Sequence, residues 1–254
     1  MGKCKRSAAG ALDRLVATGW EVAAVVAAPP DDSTTPDQRL DLVAERHGIA
    51  LVDEASLYAM AERGKLGDVD LVVSFLFWNR IREPLISLGR VGCLNFHPAP
   101  LPDFRGVGGY NVAILEGLER WGVSCHVVDE RLDTGDLVEV ERFDIDPVGA
   151  TALSLDLESQ ERLGRMFGRV TDRILSGESL PRAPQGDGRY VTRDELEALR
   201  TVRAGDDVER KVRAFWYPPW PGAVVTVEGR MLTLVDQALL EHLAGVYRAA
   251  GAVP

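Results

Sequence analysis

The sequence predicts an α/β fold with a Rossmann-like, mostly parallel sheet, followed by a small C-terminal α+β appendage. Helical and strand-like patterns alternate through the first two thirds of the chain. The strand patterns are continuous apolar runs, such as the one at 71–73, which is typical of strands buried on both faces of a sheet. The tail instead shows a hairpin pattern around Gly229, between two helical patterns.

The N-terminal region predicts a helix first and a strand second. Ser7 is expected to cap a helix that runs through Thr18 and stops at Gly19, and residues 20–28 read as a buried strand. A doubly wound sheet should begin with a strand that leads into the turn at Gly2. We therefore expect a further apolar strand ahead of Gly2, with Met1 an internal start or the sequence truncated. Without it, each unpaired buried backbone group would cost about 1–3 kcal/mol.

Helical and strand patterns continue to alternate as far as residue 176. In folds of this kind, ligands bind at the carboxyl ends of the strands. The predicted helices are Gln38–His47, Glu54–Arg63, Arg80–Leu88, Asn111–Gly117 and Ala152–Ser176, and the predicted strands are Ile49–Val52, Asp70–Phe75, Val91–Phe96, Gly122–Asp129 and Leu137–Phe143.

A Pro- and Gly-rich linker at 181–188 predicts a boundary between a catalytic domain at 1–180 and a small subdomain at 189–254. The subdomain should contain a helix at Asp206–Ala214, a hairpin at 223–236 and an amphipathic helix at Gln237–Ala249. Between them, the aromatic and proline segment at 213–223 is either a packed turn or an aromatic wall beside a ligand. The subdomain is too short for a complete barrel.

Composition limits the classes of function. The formal net charge is −10 over 254 residues and the pI is near 5.0, which makes nucleic-acid binding an unfavoured role. No apolar run approaches the roughly 18 residues of a membrane helix, and no secretory signal is apparent, so we expect a soluble cytoplasmic protein without a membrane partner. The 3 cysteines and 4 histidines form no metal-type pattern, so no metal is expected.

Three polar residues form the candidate catalytic site. Asn95 and His97 are two positions apart in a predicted strand that ends at Pro98, so both side chains leave the same face. Asp133 lies in an Asp-Thr-Gly turn and could orient the imidazole. Each residue alone has a structural alternative: a strand-end hydrogen bond, a structural histidine and an Asx turn. Together they favour acyl-transfer chemistry.

These residues also carry a family resemblance. The elements Asn95-x-His97-Pro, Leu101-Pro, Arg105-Gly and Asp133-Thr-Gly resemble the motifs of the folate-dependent formyltransferases, in this order and spacing. The resemblance implies the formyltransferase fold, whose sheet has a strand ahead of the position of Gly2. It also implies 10-formyltetrahydrofolate as formyl donor and a primary amine as acceptor, with Asn95, His97 and Asp133 catalytic.

Further site residues follow from the resemblance. The cofactor-binding residues implied are Phe75, Leu76, Phe77, Trp78, Thr134, Gly135 and Asp136, and the substrate-binding residues are Arg105, Gly106 and Tyr110. Residues 75–78 could instead be core, Arg105 could bind an anionic group or pair with Asp103, and His126 is expected to be structural more often than catalytic. The residues Pro98-Ala-Pro100 and Gly108-Gly-Tyr-Asn111 depart from the family pattern.

The acceptor is not named by any motif. Between Pro29 and Ala50, where the transfer-RNA branch carries a basic loop, this chain has five acidic residues, Asp31, Asp32, Asp37, Asp41 and Glu45, against Arg39 and Arg46. A nucleotide-linked amino sugar is therefore favoured. The alternatives are methionyl-tRNA formyltransfer and a non-catalytic folate- or ligand-binding relic. A folate hydrolase would carry a regulatory domain that the sequence does not show, and a homodimer is left open.

Overall fold

The computed structural model describes residues 1–31 and 33–249, so Asp32 of the acidic loop lies outside the described residues. The chain divides into two compact units. The first comprises Met1–Gly106, Trp121–Phe143 and Leu157–Tyr190, and the second comprises Val107–Arg120, Asp144–Asp156 and the chain from Val191 onward. Because the units alternate along the sequence, the domain boundary at 181–188 stays a prediction.

The secondary structure follows the predicted order of helices and strands. The helices are α1 (Arg6–Ala17), α2 (Leu40–Arg46), α3 (Glu54–Glu62), α4 (Leu85–Leu88), α5 (Gly109–Leu115), α6 (Ala152–Leu175), α7 (Arg193–Arg200), α8 (Val208–Ala214) and α9 (Gln237–Ala249), with a 3-10 turn at Pro36–Gln38. The strands are β1 (Leu71–Phe75), β2 (Gly92–His97), β3 (Phe104–Gly106), β4 (Arg120–Val127), β5 (Leu137–Asp144), β6 (Arg189–Val191), β7 (Val224–Val227) and β8 (Arg230–Thr233).

The main sheet has the strand order β1-β2-β4-β5. Strand β1 pairs with β2 in parallel, whereas β2 pairs with β4 in antiparallel. Beyond β1, isolated parallel bridges join Phe75 to Gly2, Gly2 to Ala27, and Val25 to Leu51. The mixed α/β fold with a mostly parallel sheet is therefore confirmed.

Three phenylalanine rings form the centre of the first unit's core. Phe75 stacks on Phe96 with ring centroids 5.5 Å apart, and the Phe167 ring meets the Phe96 ring edge-on at 5.0 Å. All three side chains are buried, which places β1, β2 and α6 against one another. Burying aromatic area of this size is among the larger stabilising contributions in a core.

Predictions about one helix and one helix cap were wrong. The helix predicted at Arg80–Leu88 is restricted to α4, which starts after Pro84, because proline disfavours the helical conformation of the residue before it. Ser7 does not cap α1: Lys5 is the N-cap, and the Ser7 hydroxyl donates a hydrogen bond to the Gln160 side chain.

The strands predicted at 20–28 and 49–52 exist only as isolated bridges. Val25 donates its N–H to Ala50 at 2.8 Å and accepts from Val52 at 3.0 Å, which forms one short contact on that side. On the other side, the backbone partner found among residues 1–31 and 33–249 is Gly2. These backbone contacts are too few to form a continuous ladder of hydrogen bonds. Residues 20–28 are therefore extended but do not form a regular strand.

The second unit contains the predicted hairpin. Strands β7 and β8 are antiparallel, and Glu228 and Gly229 both have positive φ, 49° and 77°, as a type I′ turn requires. In the aromatic and proline segment, Phe215 and Trp216 are buried, which favours a packed turn, whereas Trp220 is exposed. Among the described residues, no helix is both long and apolar enough to cross a bilayer.

The cysteines allow a simple test of the core. Cys4, Cys93 and Cys125 are free thiols, and the last two are fully buried. Burial raises the pKa of Cys93 to about 12 and raises the pKa of Cys125 as well. We expect iodoacetamide to label Cys4 first in the native protein, because a buried thiol forms little reactive thiolate. Mass spectrometry of time-resolved labelling checks this, and labelling of Cys93 at the rate of Cys4 would contradict the packing.

Candidate active site

Asn95 lies at the centre of a hydrogen-bonded chain across three strands. The sheet register places it opposite Ser74 of β1 and opposite His126 of β4. The Ser74 hydroxyl donates to Asn95 Oδ1 at 2.7 Å, and Asn95 Nδ2 lies 3.0 Å from His126 Nε2. Ser74 and His126 are buried, whereas Asn95 is only half-buried. The carboxamide is therefore fixed from two sides and still reachable from solvent.

The contacts of His126 determine which side of the Asn95 amide carries the nitrogen. His126 Nδ1 lies 2.8 Å from the carbonyl oxygen of Val127, which can only accept, so Nδ1 carries the proton. In the neutral ring Nε2 then accepts a hydrogen bond from Asn95. One N–H of the Asn95 amide is used in this way, and its second N–H remains available for an external oxygen.

His97 has the opposite arrangement. Its Nε2 lies 3.1 Å from the carbonyl oxygen of Phe104, so Nε2 carries the proton. Its Nδ1 therefore holds a lone pair, and that atom is 3.7 Å from Asp133 Oδ1. This nitrogen can accept a proton while the ring orientation is held by Phe104.

Asp133 connects the two rings. Its Oδ1 is 3.7 Å from His97 Nδ1 and also 3.7 Å from His126 Nε2, while its Oδ2 accepts the N–H of Gly106 at 3.0 Å. The backbone of Asp133 has a φ of 55°, a left-handed conformation that aspartate tolerates better than most residues. Left-handed non-glycine residues cluster at functional sites, since they cost conformational energy.

The loop around Asp133 is tightly constrained. The Thr134 hydroxyl donates to both oxygens of Asp129, at 2.8 and 2.9 Å. A Cβ on Gly135 would lie 1.9 Å from the carbonyl oxygen of Val127, so only glycine fits there. The N–H of Val127 donates to the carbonyl of Asp136 at 2.8 Å. These contacts hold the turn against β4 and so position the carboxylate.

Burial and charge set the protonation states of the pair. Burial lowers the pKa of His97 below its usual 6.5, and the Asp133 charge opposes this only in part, while His126 lowers it further. For Asp133, burial alone would raise the pKa, but the two histidines and the Gly106 N–H more than offset it, so the net pKa is well below the usual 3.8. At neutral pH the imidazole is thus neutral and the carboxylate ionised.

These shifts predict how stability depends on pH. Unfolded His97 takes up a proton near pH 6.5, whereas folded His97 does so only at lower pH. The unfolded state therefore binds more protons, and the free energy of unfolding falls as pH drops below about 6.5. Asp133 contributes stability that is present above its usual pKa and lost in stronger acid. Urea unfolding between pH 7.5 and 5 should show a shallower decline for His97→Asn than for wild type, and equal slopes would contradict the assignment.

A serine from β4 holds the loop that follows His97. Ser124 Oγ donates to the carbonyl of Ala99 at 2.8 Å and accepts the N–H of Leu101 at 2.9 Å. The sequence has Ala99 and Pro100 after His97-Pro98, where the resemblance implies a small hydroxyl residue. Ser124 supplies a buried hydroxyl to this loop instead.

The aromatic stretch after β1 divides into core and rim. Phe75 packs in the core, as the alternative interpretation expected, and its contact with a cofactor stays a prediction. Leu76 has a left-handed φ of 56° at the carboxyl end of β1. The rings of Phe77 and Trp78 lie 4.3 Å apart and are half-buried. Leu76, Phe77 and Trp78 remain predicted cofactor contacts.

Arg105 and Tyr110 are placed less directly by the structure. Arg105 donates to the Gln185 side chain at 3.1 Å and to the Gly186 carbonyl at 2.8 Å, and Asp103 pairs with Arg142 instead. Tyr110 belongs to the second unit, where it packs on an apolar cluster. Their substrate contacts stay predictions, as do those of Gly106, Thr134, Gly135 and Asp136.

Sequence reasoning missed two members of the site. Ser74 was treated only as part of a buried strand, and His126 was considered more often structural. The available signal was register: a half-buried carboxamide in a central strand needs partners from both neighbouring strands. Among residues 1–31 and 33–249, no group of acidic, histidine and cysteine side chains could hold a metal ion.

Comparisons with known proteins identify the family. The formyl transferase family model matches residues 17–170, more than half of the chain. A methionyl-tRNA formyltransferase of Novosphingobium aromaticivorans is 31% identical over 236 residues, which cover 90% of this chain and 77% of that protein.

Solved structures share the fold. A 4-N formyltransferase from Francisella tularensis superposes with a TM-score of 0.73 at 18% identity, covering 92% of this chain and 95% of that one. An N-formyltransferase from Helicobacter canadensis, in complex with folinic acid and dTDP-3-aminofucose, gives 0.72 at 16% identity, covering 90% and 83%. The resemblance indicated by the sequence motifs is confirmed, and the chain belongs to the formyl transferase family.

Proposed function

We propose that this enzyme transfers a formyl group from 10-formyltetrahydrofolate to the primary amine of a nucleotide-linked amino sugar. Formyl transfer is the activity of the family to which the chain belongs. The observation that carries the proposed mechanism is the convergence of an amide N–H, an imidazole lone pair and a carboxylate around Asp133. A cytoplasmic location is part of the proposal, since the described cysteines are free thiols.

The choice of acceptor rests on charge. Arg39 pairs with Asp41 at 2.5 Å, and Arg46 pairs with Asp13 at 2.6 Å. Both arginines of the 29–50 segment are therefore engaged in ion pairs within the first unit. Binding of a nucleic acid depends on Lys and Arg groups that are free to meet phosphates. The two arginines that this segment offers transfer RNA are already paired with carboxylates, which supports a small acceptor.

A solved structure of the same fold supports this class of acceptor. The Helicobacter protein is solved with a nucleotide-linked amino sugar. The methionyl-tRNA alternative is kept because that relative is the more similar in sequence.

Asn95 is proposed to stabilise the negative charge that develops on the formyl oxygen. Its second N–H is a neutral donor held in place by Ser74 and His126, so little reorganisation is needed as charge develops. A neutral amide N–H is a suitable hydrogen-bond donor for a carbonyl oxygen that gains negative charge. This fit supports a folate formyl donor, which would supply the activated formyl group when bound.

His97 is proposed to take the proton that the attacking amine loses. Its Nδ1 has a lone pair because Phe104 engages the other nitrogen, and the ring is neutral at pH 7. When Nδ1 gains a proton, the Asp133 carboxylate at 3.7 Å stabilises the resulting imidazolium. The same proton can then pass to the departing folate nitrogen. Leu76, Phe77, Trp78 and the 134–136 turn would hold the donor, and Arg105 the acceptor.

An acceptor panel tests the proposal. The protein is incubated with 10-formyltetrahydrofolate and, separately, with dTDP-3-amino sugars, dTDP-4-amino sugars, UDP-amino sugars and methionyl initiator transfer RNA. Products are identified by mass spectrometry, and kcat/KM is measured at two salt concentrations. His97→Asn serves as the control for enzyme-dependent transfer.

Each outcome decides between the candidate functions. Formylation of a nucleotide sugar, with kcat/KM far above that for transfer RNA and nearly independent of salt, supports the proposal. Formylation of methionyl transfer RNA with a steep salt dependence would replace it with the alternative. Folate binding without transfer to any acceptor of the panel would favour a binding relic.

A further inference from the structure

The segment 182–188, which the sequence predicts as a linker, lies against loops of the active site within the first unit. Near its start, Ala183 exchanges two backbone hydrogen bonds with Leu137, at 2.8 and 3.0 Å. At its end, a Cβ on Gly188 would lie 1.8 Å from the carbonyl oxygen of Pro102, so the chain passes very close to the loop that follows β2. The segment is therefore held to the active-site loops near both of its ends.

Gln185 makes the side-chain contacts of this segment with the site. It is half-buried, whereas the residues on either side of it are exposed. Its Oε1 accepts a hydrogen bond from Arg105 at 3.1 Å, and its Nε2 donates to the carbonyl of Gly135 at 2.6 Å. The opposite orientation of the amide would place nitrogen against a guanidinium and oxygen against a carbonyl. The amide therefore has a single orientation that satisfies both contacts.

The contacts of Gln185 close a ring of hydrogen bonds. Arg105 is followed by Gly106, whose N–H donates to Asp133 Oδ2 at 3.0 Å. Asp133 begins the turn that contains Gly135, and Gln185 connects the Gly135 carbonyl back to the Arg105 side chain. Hydrogen bonds in such a network reinforce one another. Gln185 thereby ties β3 to the turn that carries the catalytic carboxylate.

Strand β3 is the element whose position matters for the chemistry. The Phe104 carbonyl holds His97 Nε2 at 3.1 Å, and the Gly106 N–H holds Asp133. Backbone groups of residues two apart in a strand face the same side, so both contacts are made from one edge of β3. A shift of β3 against the Asp133 turn would change the separation of 3.7 Å between His97 Nδ1 and Asp133 Oδ1.

The same contacts fix the guanidinium of Arg105. Its Nη2 donates to Gln185 Oε1 and, at 2.8 Å, to the carbonyl of Gly186, so both N–H groups of this nitrogen are used. Its Nη1 has no hydrogen-bond partner among residues 1–31 and 33–249. A fixed guanidinium with unused N–H groups suits an anionic oxygen such as that of a phosphate.

We propose that Gln185 is a positioning residue for formyl transfer. It holds the Arg105 guanidinium for the anionic part of the acceptor and holds the Asp133 turn beside His97. This inference rests on the proposed function, because a nucleotide-linked sugar supplies the phosphate that Arg105 would meet.

Steady-state kinetics of Gln185→Leu tests the proposal, because leucine has a similar size and makes neither hydrogen bond. We expect KM for the nucleotide sugar to rise at least about threefold, since Arg105 is released, and kcat to fall at least about threefold, since the Asp133 turn is released. Gln185→Ala should behave in the same way. Gln237→Leu is the matched control, because Gln237 is exposed on α9 and bonds only to Glu241, so both constants should stay at the wild-type value.

A double variant separates the two roles of Gln185. In an Arg105→Met background, Gln185→Leu should no longer change KM, because the guanidinium that it positions is absent. It should still lower kcat, because the hydrogen bond to Gly135 is independent of Arg105. Wild-type KM and kcat in folded Gln185→Leu, with folding established by thermal unfolding, would overturn the proposal.

Hydrogen exchange gives a readout that needs no acceptor. The Gly106 amide donates to Asp133, so its exchange should become at least about tenfold faster in Gln185→Leu and stay unchanged in Gln237→Leu. Unchanged Gly106 exchange in Gln185→Leu would overturn the positioning role, whichever acceptor the enzyme uses. Faster exchange combined with transfer to methionyl transfer RNA alone would support the positioning role and overturn the proposed acceptor.

Discussion

Replacement of Asn95 by alanine is expected to lower kcat for formyl transfer about a hundredfold to a thousandfold, the effect of removing one oxyanion donor. The carboxamide is preorganised by Ser74 and His126, and its free N–H acts where charge develops rather than where substrate binds. We therefore expect kcat to fall much more than KM changes. Steady-state kinetics on the acceptor found in the panel, with 10-formyltetrahydrofolate saturating, measures this.

Asn79→Ala is the matched control. Asn79 is exposed and donates to Glu54 at 2.6 Å, so its loss should leave kcat unchanged. Ser74→Ala should have an intermediate effect, about twofold to tenfold, because one supporting hydrogen bond is lost while the donor remains. If folded Asn95→Ala keeps kcat within about threefold of wild type, the oxyanion role is wrong.

Replacement of Asp133 by asparagine is expected to lower kcat about a hundredfold to ten-thousandfold, the range for general acid–base groups. Asparagine preserves the shape, can accept the Gly106 N–H and tolerates the left-handed φ of 55°. It lacks only the charge that stabilises a protonated His97. Asp133→Asn therefore tests the effect of the charge while the loop geometry is kept. Asp133→Ala would remove both the charge and the hydrogen bond from Gly106.

Two further variants make this result interpretable. Asp103→Asn removes a carboxylate from an exposed ion pair with Arg142 and should not alter kcat. The double variant Asp133→Asn/His97→Asn should be little worse than His97→Asn alone, because the two residues act as a unit. Multiplicative loss in the double variant would show that Asp133 acts independently of the imidazole.

The predictable part of the site was its local pattern. Alternation along one strand was enough to place Asn95 and His97 on the same face, and the structure brings Asp133 to within 3.7 Å of the His97 ring. Side chains two positions apart in a strand leave the same face, and this rule needs no knowledge of the neighbouring strands. The strand-helix alternation likewise predicted the sheet, since buried parallel strands have a recognisable composition.

The unpredicted part depended on register and on proline. Ser74 and His126 become partners of Asn95 only through the alignment of β1, β2 and β4, which no local pattern specifies. The apolar spacing of residues 80–88 indicated a helix, but Pro84 outweighed it. The sequence left a pairing of Arg105 with Asp103 open, but Arg105 instead bonds to Gln185 and Gly186, which lie 80 and 81 residues further along the chain.

The two active-site histidines carry their protons on different ring nitrogens. His97 donates from Nε2 to Phe104, whereas His126 donates from Nδ1 to Val127. Nitrogen-15 NMR distinguishes these two tautomers by chemical shift. The signals of His97 and His126 can therefore be told apart without mutagenesis. A titration with a folate analogue would then show which of the two rings changes its nitrogen-15 chemical shifts. These shifts report directly on the movement of a proton at each histidine.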